Sequence, residues 1–237
     1  MTTVKQYRNL ISKGISSFSN RAAWVSFTAT LAFVVILIAL HALEPEFAPS
    51  WRMISEYELG DFGWLMQLAF LGLGLGCLSL IAAIEPSIRS IGGYIGLFFM
   101  LIAAAGIIIA GLFQTDPITI SREHWSTHGA WHAWGSVMVI PVAPIAASLI
   151  SLAFSRRRSF NHQARRLLWA ATAVIWLSLI AFIAGGGTKF EGTRGPGDWT
   201  GWANRVFIVG YSIWMMIVAW NIIKTFKVKA PPSHHRA

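Results

Sequence analysis

Six long apolar runs alternate with short polar segments along the 237-residue chain. The runs cover residues 22–43, 62–84, 91–113, 130–154, 167–187 and 203–223. A helix needs roughly 17 to 25 mainly apolar residues to cross a hydrocarbon core about 30 Å thick, and each run meets that requirement. Isolated Gly and Pro residues inside the runs do not count against helices, because neighbouring helices can satisfy a local break. The pattern predicts an all-α polytopic membrane bundle with six transmembrane helices.

The polar segments divide the chain into three parts. Residues 22–224 form the predicted transmembrane domain. Residues 1–21 are basic, and their apolar positions fall near one helical face, which predicts either an amphipathic arm on the inner membrane surface or a solvated arm. Residues 225–237 are also basic, and we predict that they form a disordered cytoplasmic tail.

The composition agrees with a membrane protein. Apolar residues make up 55% of the chain and charged residues 12%, whereas soluble domains have roughly a quarter of their residues charged. The single cysteine, Cys77, excludes an intramolecular disulfide.

Charge along the chain predicts the orientation of the bundle. The N-terminal arm, the loop after the fourth run and the tail are basic, whereas the segment after the first run carries five acidic residues and one arginine. Basic segments next to spans stay in the cytoplasm, and an even number of spans places both termini on that side. The net charge of +9 therefore predicts contact with membrane lipids and no nucleic-acid partner.

The candidate chemistry lies at the predicted outer face, where titratable residues interrupt the apolar pattern. Such groups are costly near lipid, so they mark a functional site by default. His128 and His132 are four residues apart and would lie on one helical face, where both could bind one metal ion. Asp116, which closes the third run before Pro117, is the predicted third ligand.

Further polar residues at the same face predict a network around this cluster. Its expected members are Ser55, Arg205, His124 and His41. Arg205 lies one turn into the sixth run and needs a partner at that depth, for which Asp116 and Glu56 are the candidates.

Zinc or iron is the predicted metal, and its chemistry would follow from an open coordination position. A bound water would there have a pKa near 7, and Glu56 or Asp116 would act as the catalytic base. Two alternatives remain open: the cluster ties the ends of the spans together without catalysis, or His41 and His132 bind a haem.

The order of motifs resembles a known family. The motifs are Ile54-Ser55-Glu56-Tyr57-Glu58-Leu59-Gly60, Gly63-Trp64-Leu65-Met66, Thr115-Asp116-Pro117, His128-Gly129 with His132, and Gly201 with Arg205. In this order they resemble the prokaryotic membrane family catalogued as domain of unknown function 998, over residues 22–224. The resemblance implies a six-helix, multi-pass protein of the prokaryotic inner membrane, and it brings no established reaction.

Two functional hypotheses follow. The first is a metal-dependent hydrolase or transferase that acts on a lipid or lipid-linked substrate, because the site lies at membrane depth. The second is an accessory subunit without catalysis, which binds a partner complex or a second copy through the glycines of the second and third runs. A transporter is less favoured, since the chain shows no internal repeat and no pair of broken helices at mid-membrane depth.

Overall fold

The computed structural model describes residues 17–156, 161–187 and 195–229. Seven α-helices occupy most of them: α1 Ser17–Leu43, α2 Gly63–Ile84, α3 Ile91–Leu112, α4 Thr127–Val139, α5 Val142–Ser155, α6 His162–Ala184 and α7 Thr200–Lys229. The predicted arm lies mostly outside the described residues, as do residues 230–237 of the tail. Residues 225–229, which the sequence assigned to the tail, continue α7.

The prediction of six membrane spans in an all-α fold is confirmed. Six helical segments are long and apolar enough to cross a membrane, and the described residues contain no β-strand. Helices α4 and α5 together make the fourth span, Thr127–Ser155. The break between them falls at Ile140 and Pro141, because proline lacks an N–H and its ring crowds the carbonyl one turn earlier.

The helices form a closed ring. Helix α1 packs on α2, α2 on α3, α3 on both α4 and α5, α5 on α6, α6 on α7, and α7 returns to α1. The interior of the ring is apolar and includes Trp214, whose ring stacks on that of Tyr211. Short connections make sequence neighbours into spatial neighbours, so the ring follows the order of the chain.

Helices α3 and α4 approach each other closely through two glycines. A side chain at Gly106 or at Gly135 would collide with the carbonyl oxygen of the other residue. Small residues of this kind allow backbones to approach inside membranes. This contact brings the last turn of α3 against the face of α4 that carries His132.

Polar segments meet at one end of the ring and form a cap. The polar cap consists of residues 44–62, 113–126 and 195–205. Its parts are joined by hydrogen bonds: the Ile54 N–H donates to Asn204 Oδ1 at 3.2 Å, and the Gln114 amide donates to the Glu58 carbonyl at 2.6 Å. Within it, Ile54–Leu59 forms a 3-10 helix. The cap therefore gathers residues that are more than 150 positions apart in the sequence, since Arg205 bonds to Pro49 across 156 positions.

Candidate functional site

His132 is buried under the polar cap and has a defined hydrogen-bonding state. Its Nδ1 lies 2.9 Å from the carbonyl oxygen of Phe113 and 3.0 Å from the carbonyl oxygen of Ala110. These carbonyls are available because the last turn of a helix has no intrahelical donors for them. A carbonyl oxygen can only accept, so Nδ1 carries the hydrogen and Nε2 of the neutral ring is an acceptor. Among the described residues Nε2 has no hydrogen-bond partner.

Glu58 lies beside His132 and was not singled out by the sequence. Its Oε2 is 3.4 Å from His132 Nδ1 and accepts the Thr115 N–H at 2.9 Å. The other oxygen is buried and has no partner among the described residues. Burial raises the pKa of Glu58 from its ordinary value of 4.5 to about 8, although the Thr115 N–H opposes the rise. The carboxyl group is therefore mainly neutral at pH 7.

Glu56, a predicted catalytic base, is fully hydrogen-bonded within the cap. Its Oε1 accepts from the Arg52 guanidinium at 2.6 Å and from the Ile118 N–H at 2.9 Å. Its Oε2 accepts from the Met53 N–H at 2.9 Å, at the start of the 3-10 helix. The carboxylate thus joins the two longest segments of the cap.

Asp116, the other predicted base and a predicted metal ligand, holds Ser126, the N-cap residue of α4. One oxygen accepts the Ser126 N–H at 2.7 Å and the other accepts the Ser126 hydroxyl at 2.9 Å. The Ser126 Oγ in turn accepts the Gly129 N–H at 2.9 Å, which satisfies one of the free donors of the first turn. The carboxylate packs so closely on Gly129 that no side chain fits there.

The predicted pairing of Arg205 with Asp116 or Glu56 is wrong. The guanidinium donates to His41 Nε2 at 2.9 Å and to the Tyr57 hydroxyl at 3.2 Å. It also donates to three carbonyl oxygens, those of Pro49, Arg52 and Gly201. The backbone of the cap wraps over the start of α7 and supplies these acceptors, so no carboxylate of the described residues contacts the arginine. His41 keeps Nε2 free to accept, because its Nδ1 bonds to the Leu37 carbonyl at 2.6 Å.

The remaining two histidines of the predicted cluster are exposed. His128 packs edge-on against the Phe113 ring, with 5.5 Å between centroids, and His124 bonds to the Ser121 hydroxyl at 3.0 Å. His128 and His132 are one turn apart on α4, but the first lies at the surface and the second in the interior. In the part of the chain that the structure describes, no three His, Cys, Asp or Glu side chains are placed to hold a metal ion. The predicted zinc or iron site gains no support there.

Two adjoining cavities border His132. The first has a volume of about 130 Å³ and lies within the polar cap, and the second, of about 60 Å³, extends into the bundle. They share five lining residues, Ser55, His132, Ser136, Ile140 and Asn204. Ser55 was predicted from the sequence, whereas Ser136 and Asn204 were not. The available signals were the position of Ser136 one turn after His132 and of Asn204 directly before Arg205.

A closed ring of six membrane-spanning helices, with a polar cap over a buried histidine, defines a multi-pass integral membrane protein. Residues 27–221 match the family described as "Protein of unknown function (DUF998)". The match covers more than half of the chain, so the protein belongs to this family, as the order of its motifs indicated. No curated protein and no solved structure matches the chain.

Proposed function

We propose that this protein is a membrane-embedded hydrolase or transferase for a lipid or lipid-linked substrate, with His132 as its general base. The observation that carries the proposal is the state of the imidazole. Two carbonyl oxygens fix Nδ1 of His132 as a donor. Nε2 is a buried acceptor that has no partner among the described residues. His132 also borders both cavities. A buried acceptor without a partner is costly, and a substrate or water in the adjoining cavities would satisfy it.

The surroundings of Nδ1 suit a ring that gains a proton during a reaction. When Nε2 takes a proton from water or a hydroxyl group, the imidazolium is stabilised by the carbonyls of Ala110 and Phe113. The Glu58 Oε2, 3.4 Å from Nδ1, faces the charged ring as a further acceptor. General bases held in this way contribute about 100- to 10,000-fold to a rate.

Glu58 takes the part that the sequence assigned to Glu56 or Asp116. All oxygens of Glu56 and Asp116 accept hydrogen bonds from the cap itself, so these residues support the site. Glu58 retains an oxygen without a partner and is the carboxyl group that contacts the histidine. We assign Glu58 as the residue that positions His132 and responds to its charge.

The site belongs at the outer surface of the membrane in this proposal. Basic segments next to membrane spans favour the cytoplasm, and the polar cap lies between the other ends of the spans. In this proposal the cap therefore faces the opposite side of the prokaryotic inner membrane. Substrates would then be lipids of the outer leaflet or molecules carried on a lipid. The small cavities receive the reacting group, while the rest of the substrate stays in the bilayer.

One observation favours the alternative of an accessory subunit. Glu56, Asp116 and Arg205 each make several hydrogen bonds that join segments of the cap, and most of these bonds are to backbone groups. A network of this kind locks the loops of the cap, as a docking surface for a partner complex would require. In this alternative His132 is one more structural member of the lock.

The two functions differ in what His132→Ala does. The purified wild type, His132→Ala and His128→Ala are incubated in detergent with a bacterial lipid extract, and products are resolved by mass spectrometry. We expect the wild type and the His128→Ala control to convert a lipid, and His132→Ala to lose at least about 100-fold of that rate while remaining folded. If the wild type converts no more lipid than His132→Ala does, the enzyme proposal is wrong, and the next step is to identify proteins that co-purify with the chain.

A further inference from the structure

The charged groups around the first cavity are unsuited to a phosphate. Glu56 and Asp116 are the charged residues among its described lining, and no Lys or Arg of the described chain lines either cavity. Phosphate sites use Arg, Lys or the free N–H groups of a helix N-terminus. The N-terminus of α4 borders the cavity, but Ser126 and Asp116 already occupy it. An anionic reacting group would meet two carboxylates.

The groups that remain available in the cavities are neutral. Asn204 Oδ1 accepts the Ile54 N–H at 3.2 Å, which fixes the orientation of the amide and turns its NH₂ group away from that bond. Asn204 borders both cavities, and the hydrogen bond that it makes within the described residues uses Oδ1, not the NH₂ group. Two residues that border both cavities therefore carry an acceptor, His132 Nε2, and an uncharged donor, the Asn204 NH₂ group.

The second cavity supplies an apolar compartment below these groups. Eight of its twelve lining residues are apolar, among them Phe70, Ile107, Val139, Phe207 and Ile208. Its volume of about 60 Å³ and its mainly apolar wall suit a short hydrocarbon group. His132 and Asn204 line both cavities. A group bound in the second cavity would therefore connect to the first cavity next to these two residues.

We infer that the bond handled by this site is an acyl bond, a carboxylic ester or amide, whose carbonyl oxygen binds the Asn204 NH₂ group and whose short acyl chain occupies the second cavity. This inference rests on the proposed function and names its substrate class. An uncharged carbonyl needs a donor and no cation, and an ester of this kind presents an apolar acyl group next to the reacting carbon.

The reaction balances with the residues present. Water attacks the carbonyl carbon and gives its proton to His132 Nε2, while the negative charge that develops on the carbonyl oxygen is stabilised by the Asn204 N–H. The bond to the leaving alcohol or amine then breaks, and that group takes the proton from Nε2. The products are a carboxylic acid and an alcohol or amine. In a transferase, a hydroxyl group of the acceptor replaces water.

The experiment compares two chromogenic probes on the full chain in detergent. These are p-nitrophenyl butyrate, an acyl ester, and bis(p-nitrophenyl) phosphate, a phosphodiester. The decisive variant is Asn204→Asp, which keeps an oxygen to accept the Ile54 N–H but removes the donor. We expect ester hydrolysis by the wild type, a fall in kcat of about 100- to 1,000-fold in Asn204→Asp with an unchanged melting temperature, and no hydrolysis of the phosphodiester. Asn204→Ala serves as a second variant if the aspartate variant does not fold.

The acyl compartment is tested by changing its size. Val139→Phe fills the second cavity and should lower the ratio of kcat/KM for p-nitrophenyl butyrate over the acetate by about 10-fold or more, whereas Phe207→Leu should raise it. His128→Ala is the control for nonspecific reaction of a surface imidazole with these esters.

Each outcome has a distinct meaning. Phosphodiester hydrolysis that depends on His132, without ester hydrolysis, would overturn the acyl inference and leave the proposed function standing. Ester hydrolysis that is lost in His132→Ala but unaffected by the Asn204 and Val139 variants would do the same. If the wild type hydrolyses neither probe faster than His132→Ala does, the acyl inference fails, and the lipid-conversion assay alone decides the proposed function.

Discussion

Replacing Glu58 with glutamine tests the buried carboxyl group beside His132. Glutamine has nearly the same shape and keeps an oxygen for the Thr115 N–H, but it cannot ionise. Glu58 is 2% exposed, and burial raises its pKa from 4.5 to about 8. Since the folded state holds this proton more tightly than the unfolded state, the contribution of Glu58 to stability is greatest below pH 4.5 and is lost as the pH rises towards 8.

The size of this effect follows from the two pKa values. The difference of about 3.5 pH units, at 1.36 kcal/mol for each, gives an upper limit of about 5 kcal/mol above pH 8. At pH 7 the corresponding cost is about 3 kcal/mol. For a chain of this length, 1 kcal/mol moves the melting temperature by about 2 to 4 °C.

The assay is thermal unfolding in detergent at half-unit steps from pH 5 to pH 9. We expect the melting temperature of Glu58→Gln relative to the wild type to rise across this range by on the order of 10 °C. Glu44 is another buried acid whose pKa is raised mainly by burial. Because Glu44 is present in both proteins, its effect on the melting temperature cancels in the difference between them. Parallel melting curves for the two proteins would refute the assignment of Glu58 as a buried, mainly neutral group.

Three further changes test the cap and the metal hypothesis. Arg205→Leu should lower stability by at least about 3 kcal/mol, because it leaves several buried acceptors without a donor; an unchanged melting temperature would contradict the observed network. Asp116→Ala should cost about 1 to 2 kcal/mol, because Ser126, the N-cap residue of α4, loses both of its hydrogen bonds to Asp116, and Asp116→Asn should recover part of this; equal stability of all three proteins would exclude a role of Asp116 in holding Ser126. Elemental analysis of the untagged protein beside a His128→Ala/His132→Ala variant should show no stoichiometric zinc or iron in either, and metal found in the wild type but lost in the folded variant would restore the metal site.

The sequence located the site but identified only part of it. His132 and Ser55 could be singled out because a polar residue in or beside an apolar span is unusual in itself. Glu58 could not be distinguished from Glu56, since both are acids in one short polar segment. Only the structure shows that Glu56 accepts hydrogen bonds from three donors in the cap while Glu58 lies against the imidazole.

The sequence by itself determined the six spans and the all-α class. Both follow from comparing the number of apolar residues in each segment with the thickness of a bilayer, and that number can be counted within one stretch of sequence. The partners of the polar side chains were decided by the tertiary structure. Arg205 bonds to His41 across 164 positions, and His132 bonds to carbonyls of the preceding helix that become available only where that helix ends. Hydrogen bonds act over about 3 Å, so which groups are satisfied and which stay free depends on how the folded chain brings distant segments together.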